Sequence, residues 1–102
     1  MISIALATYN GSKFLREQLD SILAQSMENF EVVACDDCST DETRQILEEY
    51  ASKDSRFKVF LNKNNLGFKK NFEHILSLCK GDFIAFCDQD DIWESNHLEI
   101  LY

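Results

Sequence analysis

The chain has 102 residues, of which 45% are hydrophobic and 27% charged, which suits one small globular domain and is too apolar for a disordered tail. Eighteen acidic residues against ten basic ones give a formal net charge of −8, which excludes nucleic acid as an expected partner because phosphate binding needs a basic face. No apolar run approaches the roughly 20 residues that cross a bilayer, and the first residues lack the pattern of a secretory signal. We therefore expect a cytoplasmic protein.

Hydrophobic periodicity predicts strands and helices that alternate along the chain. Short apolar runs predict strands at 2–7, 30–35, 57–61 and 82–87, and apolar residues at helical spacing predict helices around 15–23, 46–51, 68–79 and 95–102. Ser39 followed by Glu42 has the pattern of a capping box, which predicts that the second helix opens there. The helical spacing also assigns Phe68 and Phe72 to the core.

This order of elements predicts an α/β fold with a doubly wound, mostly parallel sheet and helices on both faces. The fourth predicted strand is the most hydrophobic, and the sequence ends soon after it. We therefore expect part of a longer protein, with an exposed sheet edge through which copies of the chain can self-associate.

Four cysteines leave two alternatives to the expectation of reduced thiols. Cys35 and Cys38 form a C-x-x-C pair before a predicted helix, which suits a redox or zinc role. One such pair supplies only half of a structural zinc site, however, and neither His74 nor His97 stands at ligand spacing from it. A cytosolic chain with a full apolar complement needs no disulfide staples, so we expect free thiols.

Acidic side chains follow two of the predicted strands. Asp36 and Asp37 come after the second strand, and Asp88, Asp90 and Asp91 come after the fourth. The carboxyl ends of parallel strands meet at one edge of a sheet, where ligands bind. Clustered carboxylates favour Mg²⁺ or Mn²⁺ over zinc, and Mg²⁺ is typically shared with substrate phosphates. The pattern therefore favours a shared divalent cation, and a diphosphate that bound in this acidic crevice would need such a metal to offset the repulsion.

Four segments, one after each strand, together resemble a family 2 glycosyltransferase of the GT-A fold: ATYNG, CDDCSTDET, NKNNLGFKKNF and CDQDDIW. They occur in the family's order and cover essentially all 102 residues. The resemblance implies that residues 1–102 form the part that binds a nucleotide-diphosphate sugar, a UDP- or dTDP-sugar, and that the chain ends before the acceptor-binding half. It also implies work on bacterial surface polysaccharides, with hexosyl- or rhamnosyltransferase-like members.

The resemblance assigns roles to individual residues. Asp88-Gln89-Asp90 matches the DxD motif, with Asp90 as metal ligand and Asp88 assisting it or contacting the ribose. Asp37 matches the residue that accepts hydrogen bonds from the base, Tyr9 the aromatic that packs beside the base, and Ala7 a backbone position that faces it.

Five further residues are weaker candidates on the same ground. Asp36 and Asp91 lie beside the main carboxylates, and Asp91 would tune the metal. Trp93 would line the sugar side, and Lys69 and Lys70 would offset the charge of the diphosphate.

The resemblance implies an inverting transfer in which a carboxylate base deprotonates the acceptor hydroxyl. That base lies in the acceptor-binding half, so we expect this chain to bind donor and metal without completing transfer to a glycan or lipid-linked acceptor. We also expect peripheral association with the inner face of the membrane. Two alternatives remain open. One is a non-catalytic nucleotide-binding module. The other is a receiver-like Mg²⁺-binding domain, although a receiver carries its acidic pair after the first strand and a phosphoacceptor aspartate after the third, where this chain has Asn62.

Overall fold

The structure is a computed structural model that describes residues 1–87. Its elements alternate as the hydrophobic pattern predicts: β1 (Ile2–Thr8), α1 (Ser12–Leu23), β2 (Phe30–Asp36), α2 (Thr43–Lys53), β3 (Phe57–Leu61), α3 (Phe68–Leu78) and β4 (Phe83–Cys87). The helix predicted over 95–102 lies outside the described residues. No helix among residues 1–87 is long and apolar enough to cross a membrane.

The four strands form one parallel sheet in the order β3-β2-β1-β4. Helices α1 and α2 pack on one face, where they bury alternate residues of the central strands such as Ile4, Leu6 and Val32. Helix α3 covers the other face, where Ile75 packs against Ala5 and Val33. Because successive side chains of a strand point to opposite faces of the sheet, the central strands contribute residues to both cores. This confirms the predicted doubly wound α/β fold.

The strand β4 forms an edge of the described sheet. Phe83, Ile84 and Phe86 have exposed side chains there, although the ring of Phe86 lies 5.8 Å from that of Phe72 on α3, centroid to centroid. Phe68 is also exposed, over 73% of its surface, so its assignment to the core was wrong. Only Phe72, one turn later, packs against the α3-side core.

The second helix begins four residues after Ser39, so the predicted capping box was wrong. The hydroxyl of Ser39 instead accepts a hydrogen bond from the backbone N–H of Asn10 at 2.9 Å, and its backbone N–H donates to Asp36. The oxygens of Asp41 accept from the N–H of Thr43 at 2.9 Å, at the start of α2, and from the N–H of Ser12 at 3.2 Å, at the start of α1. One aspartate therefore accepts a hydrogen bond from the first N–H of each helix, whose N-cap positions are Gly11 and Glu42.

Candidate nucleotide-binding site

The register of the sheet places three strand ends side by side. Thr8 at the end of β1 pairs with Asp36 at the end of β2, which pairs in turn with Leu61 at the end of β3. Backbone hydrogen bonds continue one step beyond the strands, from Asp37 N–H to the Thr8 carbonyl at 2.9 Å and from Asn62 N–H to the Asp36 carbonyl at 3.0 Å. The loops that follow the three strands are therefore held together at one edge.

A cavity of about 500 Å³ opens at this edge, between the strand ends and the start of α3. Its size is within the range of small-molecule sites. The structure brings together here three residues named from the sequence, Ala7, Tyr9 and Asp37. Among residues 1–87, the lining consists of Ala7, Thr8, Tyr9, Asp37, Asn65, Gly67, Phe68, Asn71 and Phe72.

Asp37 is the charged residue that lines this cavity. It is only 4% exposed, and its partners are neutral donors from the loop between β3 and α3. Its Oδ1 accepts from Leu66 N–H at 2.7 Å and Asn62 Nδ2 at 3.1 Å, and its Oδ2 accepts from Gly67 N–H at 3.0 Å. Gly67 has a φ of 82°, which favours glycine. The carboxylate thus organises the turn that walls the cavity.

The neighbouring carboxylate has a different environment. Asp36 is fully buried, and it accepts hydrogen bonds from Thr8 Oγ1 at 2.8 Å and from Ser39 N–H at 2.9 Å. It does not line the cavity. Its contacts join β1 to the loop after β2, which makes Asp36 part of the framework beneath the site.

A second set of hydrogen bonds fixes the loop that carries Tyr9. Asn10 has a φ of 49°, and its side-chain oxygen accepts from the N–H of Thr40 at 2.8 Å. Asp41 connects the same two loops, because it accepts hydrogen bonds from the first residues of α1 and α2. Burial opposes ionisation of Asp41, but the hydrogen bonds from Thr43 and Ser12 outweigh it and lower its pKa to about 2. The loops after β1 and β2 therefore form one cross-linked unit.

The residues that the sequence analysis proposed around the metal follow β4. Asp88, Asp90, Asp91 and Trp93 lie outside the described residues. Within residues 1–87 there is no group of three or more His, Cys, Asp or Glu side chains that could hold a metal ion. Within residues 1–87, the carboxylate that lines the cavity is that of Asp37.

The two lysines proposed from the sequence do not line the cavity, whereas three asparagines belong to the site. Neither Lys69 nor Lys70 lines the cavity, although both are exposed on α3. The residues that the sequence analysis missed are Asn62, Asn65 and Asn71. The last two line the cavity, and Asn65 Nδ2 donates to the Asp37 carbonyl at 3.2 Å. The repeated asparagines in and shortly after the segment NKNN are the sequence pattern that could have indicated these residues.

The two cysteines of the C-x-x-C pair lie in different environments, Cys35 buried and Cys38 half-buried. All four are free, as expected. Burial, and secondarily the nearby thiol of Cys79, raises the pKa of Cys35 to about 12, whereas a reactive cysteine needs a lowered pKa. Cys38 Sγ lies 3.2 Å from the Asn62 carbonyl oxygen, to which it donates.

Comparison with known proteins agrees with this geometry. The model of the family described as "Glycosyl transferase family 2" matches residues 3–102. The chain is 40% identical over 99 residues to the "Putative glycosyltransferase EpsE" of Bacillus subtilis, covering 96% of this chain and 36% of that protein. It is 34% identical over 99 residues to the "Putative teichuronic acid biosynthesis glycosyltransferase TuaG" of the same organism, covering 97% and 39%.

A solved structure shares both fold and sequence with the chain. The crystal structure of residues 1–349 of S. aureus TarS in complex with UDP-GlcNAc matches with a TM-score of 0.90 and 37% identity. The match covers 98% of this chain and 29% of that one. The chain thus spans about a third of the length of the relatives it matches.

Proposed function

The chain belongs to glycosyl transferase family 2, and on that premise we propose that the cavity at the end of β1 and β2 binds the nucleoside of a nucleotide-diphosphate sugar. The observation that carries this proposal is the meeting of Ala7, Tyr9 and Asp37 in one cavity. Tyr9 is half exposed there, so its ring is accessible to a flat base. A TarS structure that matches 98% of this chain is a complex with UDP-GlcNAc, which supports the same ligand class here.

The chemistry of Asp37 favours a particular type of base. A carboxylate only accepts hydrogen bonds, so it suits a base edge that presents an N–H group. Uracil and thymine carry such a group on the ring nitrogen between their two carbonyls. We therefore propose UDP- or dTDP-sugars as donors, with Tyr9 packed on the base and the backbone at Ala7 facing it.

The metal belongs to the same proposal and rests on the sequence. Asp90, with Asp88 assisting it or contacting the ribose, would hold Mg²⁺ or Mn²⁺, since carboxylate oxygens are the ligands these ions prefer. Such an ion, when bound, neutralises charge on the diphosphate. The buried carboxylates of Asp36 and Asp37 are engaged by neutral donors, which leaves the residues after β4 to hold the ion.

The proposed reaction is an inverting transfer. The acceptor hydroxyl loses its proton to a carboxylate base and attacks the anomeric carbon, while the bond from that carbon to the diphosphate breaks and the nucleoside diphosphate leaves. We place the base in the part of the relatives that this chain does not cover, and residues 1–102 in the donor-binding part. The chain on its own should therefore bind donor without transferring the sugar, as a non-catalytic nucleotide-binding module also would.

The cellular setting is part of the proposal. TuaG carries teichuronic acid biosynthesis in its name, which supports a role in cell-surface polysaccharide synthesis with a glycan or lipid-linked acceptor and a hexosyl or rhamnosyl donor. Four free cysteines suit a reducing compartment, so we propose the cytoplasm, at or near the inner face of the membrane. The exposed edge at β4 would support self-association, which sedimentation analysis of the chain at increasing concentration would detect.

Calorimetric titration tests the donor site. UDP and dTDP, each with and without Mn²⁺, are titrated into the chain, into Asp90→Ala and into Asp82→Ala. Asp82 is an exposed aspartate at the opposite end of β4, so it is a matched control for loss of one carboxylate. We expect metal-dependent binding in the native chain and the control, and its loss in Asp90→Ala. If the affinity is the same with and without Mn²⁺ and is unchanged in Asp90→Ala, the assignment of Asp90 as metal ligand is refuted. If the native chain binds neither nucleotide, the donor site is refuted.

A further inference from the structure

Two asparagine side chains lie behind Asp37 and connect it to the core of the sheet. Asn62 Nδ2 donates to Asp37 Oδ1 at 3.1 Å and to Asn71 Oδ1 at 2.8 Å. Asn71 Nδ2 donates in turn to the carbonyl of Cys35 at 3.2 Å. The result is a chain of hydrogen bonds that runs from the end of β2, through the first turn of α3, to the carboxylate in the cavity.

The direction of these bonds is determined by chemistry. The amide of Asn62 has two N–H groups, and each finds an oxygen acceptor in Asp37 and Asn71. A flipped Asn62 would place its own oxygen against both acceptors, so the network admits only one orientation. Asn71 is 2% exposed, and its amide group joins Asn62 to a backbone carbonyl that cannot move independently of the sheet.

These bonds make the two oxygens of Asp37 unequal. Oδ1 accepts two hydrogen bonds, from Asn62 and Leu66, whereas Oδ2 accepts one, from Gly67, among the described partners. A carboxylate oxygen has capacity for two donors. Oδ2 therefore retains capacity for a ligand donor, and rotation of the carboxylate would break three bonds at once.

We propose that Asn62 and Asn71 are positioning residues that hold Asp37 so that Oδ2 is the acceptor for a base N–H, and that they thereby set the preference for uracil over cytosine. The inference rests on the proposed donor site. Cytosine has a lone pair at the ring nitrogen where uracil has N–H, so a fixed carboxylate repels cytosine. A carboxylate free to rotate can turn away from cytosine, and the discrimination then falls.

The test compares the affinities for UDP and CDP, which differ only in the base edge. Both are titrated, with Mn²⁺ present, into the native chain and into Asn62→Ala, Asn71→Ala and Asn64→Ala. Asn64 is exposed in the same turn and does not line the cavity, so it is the matched control. Thermal unfolding of each variant establishes that it is folded, and half-buried Asn62 provides a result if Asn71→Ala does not fold.

We expect the ratio of UDP to CDP affinity to fall about tenfold in Asn62→Ala and Asn71→Ala, the size expected from losing a hydrogen bond that fixes a charged group, and to stay unchanged in Asn64→Ala. If the two asparagines had only a structural role, their replacement would lower the affinities for UDP and CDP by the same factor and leave the ratio unchanged. That result would overturn the positioning role alone. A native chain that binds neither nucleotide would overturn the donor site and this inference together. A native chain that binds both equally would overturn this inference and the proposed role of Asp37 in selecting the base, but not the donor site itself.

Discussion

Replacing Asp37 with asparagine tests whether this carboxylate builds the site as well as facing a ligand. The substitution keeps the shape of the side chain and replaces one oxygen by NH₂. An NH₂ in place of Oδ1 would oppose two donors, Leu66 N–H and Asn62 Nδ2, whereas in place of Oδ2 it would oppose only Gly67 N–H. The amide should therefore take the second orientation, which loses one hydrogen bond and leaves two that are no longer charge-assisted.

The expected cost follows from these three bonds. A hydrogen bond to a charged group contributes about 1.5–3 kcal/mol and one between neutral groups about 0.5–1.5 kcal/mol. One bond lost and two weakened would cost roughly 3 kcal/mol or more if the donors were sealed from water. Leu66 and Gly67 are exposed, so water can replace part of the loss, and we expect a decrease of about 2 kcal/mol in the free energy of unfolding.

Urea denaturation of the native chain, Asp37→Asn and Asp82→Asn measures this decrease, and UDP titration of the same samples measures binding. Asp82→Asn should unfold like the native chain, because Asp82 is exposed and pairs only with the chain terminus among the described residues. We expect Asp37→Asn to lose both stability and UDP affinity. An Asp37→Asn chain of native stability that fails to bind UDP would refute the reasoning, since Asp37 would then contact ligand without organising the turn.

Three other substitutions or measurements test the framework. Asp41→Asn should be less stable than the native chain at neutral pH, with a difference that shrinks as pH falls from the ordinary aspartate pKa of 3.8 toward the folded-state pKa of about 2, because the hydrogen bonds that lower the pKa stabilise the ionised form; a difference independent of pH would contradict this. Gly81→Ala should lower the free energy of unfolding by about 1–3 kcal/mol, since a Cβ there would lie 2.6 Å from the backbone nitrogen of Ser3; native-like urea denaturation would show that the strand can move aside. Iodoacetamide should label half-buried Cys38 well before buried Cys35, and equal rates by mass spectrometry would indicate that the strand end opens.

The sequence predicted the strands and helices well because most of them bury one side. Strand β3 was predicted at its observed bounds, Phe57–Leu61, from a short apolar run between polar turns. Boundaries failed where local chemistry has two solutions. Ser39 and Glu42 match a capping box, but the buried carboxylate of Asp36 accepts from the N–H and the hydroxyl of Ser39. The helix begins instead at Thr43, whose N–H donates to Asp41.

Long-range hydrogen bonds explain what the sequence analysis missed at the site. Asn62 and Asn71 are nine residues apart and look like ordinary turn and helix residues, since asparagine is common in both kinds of position. Their contact depends on how β3 and α3 pack together, which no local pattern contains. The assignment of Phe68 to the core was wrong for a related reason. Helical spacing identifies the apolar stripe of a helix but does not show which of its residues are covered by the sheet.

The division of labour between the two adjacent aspartates follows from the two-residue period of the strand. On β2, Val32 and Ala34 face α1 and α2, whereas Val33 and Cys35 face α3. Continuing this alternation places Asp36 on the side of the first two helices and Asp37 on the side of α3, which agrees with their contacts.

The same alternation runs along β1, where Ala5 faces α3 and Ala7 packs against the α3-side core. Odd-numbered positions continue from both strands to Ala7, Tyr9 and Asp37 in the cavity lining, and Thr8 is the even-numbered residue of these strands that also lines it. Even-numbered Asp36 instead bonds to Thr8 across the sheet. In an Asp-Asp pair at the end of a parallel strand, parity with the core residues thus indicates which carboxylate can meet a ligand, and that inference needs only the sequence and the identity of the helix on each face.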